Sequence, residues 1–192
     1  FFQIIFFTFP FFKNRPKWKH IGVKTKWAYP LYSNPSIQKS IEDSKEVILV
    51  ESIGDMLNLH EQGFSNCLVV FGLEVSPALI CSLMTLSPQS IIISTNNDLE
   101  KDQNRGLNAA IKNYLKLSSY FDYDKLSICL PIKNDFGDMK DSDFKEWESK
   151  KNNLEKESQR DHISKMANKM LNENMLPKSF SSKVNKLRRE FV

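Results

Sequence analysis

Cysteine and histidine are scarce in this chain. Cys67, Cys81 and Cys129 are its three cysteines in 192 residues, and His20, His60 and His162 its three histidines. The cysteines are odd in number, far apart and set in apolar runs, and neither residue type recurs at ligand spacing. That excludes a disulfide frame and a zinc site, and the thiols read as small core residues of a reducing compartment. No G-x-x-x-x-G-K-[ST] stretch occurs, which excludes a P-loop motor within these residues. There is no internal repeat and no low-complexity tract. The opening F-F-Q-I-I-F-F-T-F-P-F-F lacks the basic front end and small-residue cleavage site of a secretory signal, and it is too short to span a bilayer. It reads as strand material, and with Phe as the first residue the expectation is a fragment.

What is present suits a soluble α/β body. Apolar residues make up 41% of the chain and charged residues 26%, enough for one domain of ordinary size with extensions. The formal charge is only +4 but unevenly placed. Lys13, Arg15, Lys17, Lys19, Lys24 and Lys26 form a stretch without acids, with Trp18, Trp27 and Tyr29 close by. Cations interleaved with aromatics suit a phosphate backbone with stacked bases, although a solvated basic surface has the same composition. Pro16, Pro30 and Pro35 punctuate residues 13–45, which show little helical period, so short strands and turns are expected there.

From residue 46 the pattern alternates. Val47–Val50 is a buried strand, and Gly54 and Asp55 open a helix that stops at Gly63. N-C-L-V-V-F-G at 66–72 is a second strand, followed by a helix that Ser76-Pro77 caps. Ile91 begins a third strand, residues 107–117 a third helix with Leu107, Ala110, Ile111, Tyr114 and Leu115 inward, and L-S-I-C-L at 126–130 a fourth strand. Four alternations with short connections predict a four-stranded parallel sheet with helices on both faces. Past Asp141 the composition turns to Lys, Glu, Asn and Ser, with an amphipathic helix over 161–172 and a basic stretch over 178–189. This predicts three segments: a basic one at 1–45, the α/β domain at 46–145 and a charged helical tail at 146–192.

In a parallel sheet all strand ends share one edge, where active sites of open α/β folds gather. Here those ends carry acids: Glu51 with Asp55 four residues on, then Asn96 and Asp98, then Asp135 and Asp138. Each pair alone reads as a cap or a turn. Together at one rim they repel unless they bind cations, and hard oxygen ligands select Mg²⁺ or Mn²⁺, the ions of phosphoryl and nucleotidyl transfer.

V-E-S-I-G-D-M-L-N-L-H-E-Q-G, F-G-L-E-V-S, I-I-I-S-T-N-N-D and K-N-D-F-G-D together resemble the TOPRIM domain over residues 46–145, and within it the DnaG-type primases, those of bacteriophages above all. R-P-K-W-K-H-I-G-V-K-T-K-W-A-Y-P-L-Y is similar to the end of their basic polymerase subdomain. The resemblance implies a DNA primase fragment making RNA primers on single-stranded DNA. It places Glu51 as the motif glutamate of general acid–base catalysis or metal binding, with Asp55 as the acid four places on. Asp98, Asp135 and Asp138 are then the metal ligands, with Asn96 beside them, and Gly72 is the glycine that shapes the floor of the site. Lys17, Lys19, Lys24 and Lys26 would grip template or triphosphate. Nucleoside triphosphates, a DNA template and a replicative helicase are the implied partners, in the cytoplasm, that of the host if the gene is phage-borne. The chain departs from the family at Ser52, where glycine is usual, at Asn96, where the first Asp of Asp-x-Asp stands, in the longer 99–106 segment and in one extra residue between Asp135 and Asp138. A TOPRIM nuclease and a non-catalytic DNA-binding module are the alternatives.

Overall fold

The computed structural model describes residues 23–98 and 105–189, apart from the side chains of Lys24, Arg188 and Arg189. Four strands, β1 (Glu46–Val50), β2 (Cys67–Val69), β3 (Ser90–Ser94) and β4 (Leu126–Ile128), form one sheet in the order β2-β1-β3-β4. Every pairing is parallel. Seven helices accompany them among the described residues: α1 (Pro35–Ser44), α2 (Ile53–Glu61), α3 (Pro77–Leu86), α4 (Arg105–Leu117), α5 (Asp141–Asn152), α6 (Lys156–Asn172) and α7 (Ser181–Arg189). None is long and apolar enough to cross a membrane.

Both faces of the sheet are buried, which is why its strands are uninterrupted apolar runs. Val47, Leu49, Ile91 and Ile93 point to one face, packed under Ile37 and Ile41 of α1, Leu79 and Leu83 of α3, Ala110 and Tyr114 of α4, Ala167 of α6 and Val184 of α7. Ile48, Val50, Cys67 and Ile92 point to the other, under Met56 and Leu59 of α2 and Phe144 and Trp147 of α5. Helices from residues 35–44 and from 156–189 thus close the same core as the central segment.

Residues 35–44 are the first correction: they form α1, not strands and turns. Asn34 caps α1 by accepting from Ser36 N–H, and Pro35 occupies the first turn. Only Ile37 and Ile41 are buried, so the apolar stripe is two residues wide and leaves almost no periodic signal. Cys81 is the second: Cys67 and Cys129 are buried, but Cys81 is exposed on α3. That helix, P-A-L-I-C-S-L-M-T-L, is apolar nearly all round, so period alone does not choose its inner face. Helix α6 also starts at Lys156, five residues before the expected 161.

Both sheet edges are covered. Tyr29 pairs antiparallel with Val69 on the outer side of β2, accepting from Val69 N–H at 2.9 Å. On β4, the Gln159 side chain does the work of a strand: Oε1 accepts from Ile128 N–H at 2.9 Å and Nε2 donates to Ile128 O at 2.7 Å. An edge whose donors are taken does not recruit another chain.

One buried amide holds the loop beyond β2. Asn113 of α4 is fully buried; its Oδ1 accepts from Val75 N–H at 2.9 Å and its Nδ2 donates to Leu73 O at 3.2 Å. Asn113→Ala leaves a buried donor and a backbone carbonyl unpaired, at an expected cost of about 2–3 kcal/mol in urea unfolding. The Val75 amide should exchange faster by native-state hydrogen exchange than its neighbours on α3; unchanged protection there would contradict the clamp.

Candidate active site

With the order β2-β1-β3-β4, the chain leaves β1 toward β2 on one side and then crosses back to β3 on the other. The carboxyl ends of β1 and β3 therefore flank the point where the winding reverses, and open α/β sheets form a crevice there. Glu51 follows β1 directly, and Thr95, Asn96 and Asp98 follow β3.

The turn after β1 is built by Ser52. Its hydroxyl accepts from Asp55 N–H at 3.3 Å and donates to Asp55 Oδ2 at 2.7 Å, while Ser52 N–H donates to the same oxygen at 3.0 Å. This capping box starts α2 with an acid in its first turn, where the helix dipole favours negative charge. Ser52 itself has an extended backbone, φ −130°, which does not require glycine.

The loops after β3 and β4 are bonded to each other. Asn97 N–H donates to Asn134 O at 2.8 Å, Asp98 N–H reaches the same oxygen at 3.4 Å, and Asn97 Nδ2 donates to Pro131 O at 2.9 Å. Asp98 is buried and left-handed, φ 48°, a conformation that Asp tolerates better than most residues. Asp135 caps the short 3-10 turn Phe136–Asp138, its Oδ1 accepting from Asp138 N–H at 3.0 Å. After β2 the chain reverses through Phe71 and Gly72, φ 60° and 133°, with Phe71 N–H on Glu51 O at 3.1 Å.

These bonds bring Glu51 near Asp55 and Asp98, and Asp55 near Asp135. The Glu51 carboxylate accepts from Asn96 N–H, and its burial, with the negative charges of Asp55 and Asp98 next, pushes its pKa up. The Asn96 N–H and the Arg105 guanidinium oppose that shift without cancelling it. Asp55 is also pushed up, first by burial and more weakly by Asp135, against the hydrogen bond from Ser52. Asp138 lies exposed at the end of its turn and Asp135 half-buried at the start. Gly72 sits in the reversal after β2. Of the lysines, Lys26 is exposed in the 3-10 turn Lys24–Lys26, whereas Lys17, Lys19 and the Lys24 side chain lie outside the described residues.

Several oxygens at this rim lack donors. Glu51 Oε2, Asn96 Oδ1 and Thr95 Oγ1 are buried with no hydrogen-bond partner among the described residues. Acceptors collected without donors suit a cation. No three His, Cys, Asp or Glu side chains among the described residues converge into a ready cage, however. Mg²⁺ does not require one: it binds through one or two carboxylates and keeps its remaining positions for water and phosphate oxygens. Asp98, with the neutral Asn96 oxygen and Asp135 on the adjoining loop, fits that demand.

Gly106, Asn113 and Ser52 serve this site without having stood out among the candidates. Gly106 lies in the first turn of α4, where a Cβ would come within 1.8 Å of Asn96 O, and a glycine at that place in a helix is the signal for a close helix–strand approach. Ser52 stood in plain view as a capping residue three places before Asp55.

A scan against protein-family models and a search of the curated proteins find no match. Solved structures do match. The DnaG catalytic core aligns over 93% of this chain at 17% identity with a TM-score of 0.58, and a DNA primase domain from Pseudomonas aeruginosa over 92% at 17% identity with a TM-score of 0.57. The chain spans 61% of the length of each. The four-stranded parallel sheet, its flanking helices and its acid-bearing carboxyl rim are therefore carried on a fold like that of the DnaG primase catalytic core.

Proposed function

We propose that this chain is the TOPRIM-containing part of a phage-type DNA primase, joining ribonucleotides on a single-stranded DNA template. The observation that carries the reading is the Glu51 carboxylate, held against Asn96 N–H at the winding reversal with one oxygen buried and unpartnered, beside Asp98. A carboxylate whose proton affinity is raised by burial and like charge is a stronger proton acceptor than a free one. Glu51 Oε2 takes the proton of the priming hydroxyl as that oxygen bonds to the α-phosphorus of the incoming triphosphate, while the bond from that phosphorus to the α,β-bridging oxygen breaks and pyrophosphate leaves. Asp98, Asn96, Asp135 and Asp138 would hold Mg²⁺ or Mn²⁺, and Asp55 completes the rim from α2. A bound Mg²⁺ supplies neutralisation of the charge that develops on the phosphates. Lys26, with Lys17, Lys19 and Lys24, lies on the chain's basic stretch and provides salt-sensitive attraction for template or triphosphate. The setting is the cytoplasm, in company with a replicative helicase.

The test is paired assays of the full chain with Mg²⁺: ribonucleotide incorporation on single-stranded DNA, and nicking of supercoiled DNA. Incorporation that Glu51→Gln abolishes supports a primase. Nicking without incorporation overturns it in favour of a nuclease. Absence of both, with no Mg²⁺ heat in calorimetry, overturns it in favour of a binding module.

A further inference from the structure

The Asp55 carboxylate accepts three hydrogen bonds, and helix capping accounts for only two of them. Its Oδ2 accepts from Ser52 N–H and Oγ–H, closing the turn beside Glu51. Its Oδ1 accepts from Phe136 N–H at 3.3 Å, a residue 81 positions away in the loop beyond β4. A carboxylate offers about four acceptor directions. Three are taken here, and the residue is only 3% exposed. Such a group has little left to offer a cation or a substrate proton.

We propose that Asp55 is a positioning residue, a fastener that fixes the Asp135–Asp138 loop to the turn bearing Glu51. The far end of the fastener is anchored in turn. Phe136 is fully buried, stacked on Phe144 at 6.1 Å and edge-on to Trp147 at 5.2 Å. Trp147 Nε1 donates to Cys129 O at 3.1 Å, just past β4, and its ring meets Phe64 edge-on at 5.3 Å. The path from the β1–α2 turn through Asp55 and Phe136 to α5 thus consists of hydrogen bonds and ring contacts without a gap. Its consequence is that two acid-bearing loops, from strands at different places in the sheet, keep one separation. Glu51 and Asp135 then meet the same bound group. Only that consequence rests on the proposed primase reading; the fastening itself is a property of the folded chain.

The fastening is read on the full chain without cation or nucleotide. Trp147 is labelled as 5-fluorotryptophan in a W18F/W27F background, and amide exchange is followed at Phe136 and at its exposed neighbour Gly137. Asp55→Asn keeps the shape but cannot accept from both sides. It should move the Trp147 fluorine resonance and speed Phe136 exchange by about tenfold or more, the loss expected for one hydrogen bond to a charged group. Ser52→Ala weakens the cap yet leaves the Oδ1 bond, so it should leave both signals where they are. Equal responses in the two variants, or none in Asp55→Asn, would overturn the proposal by reducing Asp55 to a cap. Should Asp55→Asn fail to fold, the unmodified chain decides: Phe136 exchanging as fast as Gly137 refutes the fastener, and protection matching α2 supports it. Loss of primer synthesis and of Mg²⁺ binding in the unmodified chain would sink the primase reading and leave these signals intact.

Discussion

Glu51→Gln should make the protein more stable at neutral pH while abolishing incorporation. The glutamate is held half-buried with one oxygen unpartnered and with Asp55 and Asp98 repelling it. Gln keeps the shape and can still accept from Asn96 N–H, but it carries no charge to desolvate. After allowance for solvent screening the gain is up to about 1 kcal/mol. Removing the proton acceptor should cost about 10²–10⁴-fold in rate. The pH dependence follows from the direction of the shift. A carboxyl whose folded pKa lies above its unfolded value binds its proton more tightly when folded. The penalty is therefore full above the folded pKa and is relieved as pH falls toward the unfolded one. Wild type should approach the Gln variant in urea-unfolding stability as pH falls from neutral, and Mg²⁺ should narrow the same gap at neutral pH by stabilising only the wild type. A Gln variant less stable than wild type at pH 7, with no cation present, would show that Glu51 is a structural acceptor and not a strained functional one.

Gly106→Ala should be the most damaging alanine substitution among the described glycines. A Cβ at Gly106 would lie 1.8 Å from Asn96 O and 2.8–2.9 Å from the carbonyl carbons of Asn96 and Asn97. All three are backbone atoms at the end of β3, so no rotamer change gives way. Either α4 lifts off the sheet or the loop bearing Asn96 and Asp98 shifts. The expected loss is roughly 3 kcal/mol or more, and the melting temperature should fall by roughly 6 °C or more. Activity should go with it, since the displaced atoms carry Asp98. Gly54→Ala is the control: in α2 the added Cβ meets only Ser52 Oγ at 3.5 Å. It should be neutral or stabilise by up to about 1 kcal/mol, as helix propensity predicts. Equal melting temperatures for the two variants would remove the close approach as the reason for glycine at 106.

The alternation of apolar runs with helical stretches was enough to predict β1 to β4 and the helices between them, because a strand buried on both faces has no polar positions to blur it. Parallel pairing then put Glu51, Asp98 and Asp135 at one rim by topology alone. Helix α1 escaped because two buried isoleucines are a thin signal against prolines that suggest turns. Cys81 escaped because an all-apolar helix does not declare its inner face.

Composition and order of the residues determined that this is an α/β protein with its acids on the carboxyl edge, since strand periodicity and connection length are local properties. Only the tertiary structure decided how those acids are used. Asp55 is spent on Ser52 and Phe136, Glu51 keeps an oxygen free, and Gly106 and Asn113 set the loops around them. Such assignments depend on which donors arrive from distant parts of the chain, and hydrogen bonds across 81 residues leave no periodic trace in a sequence.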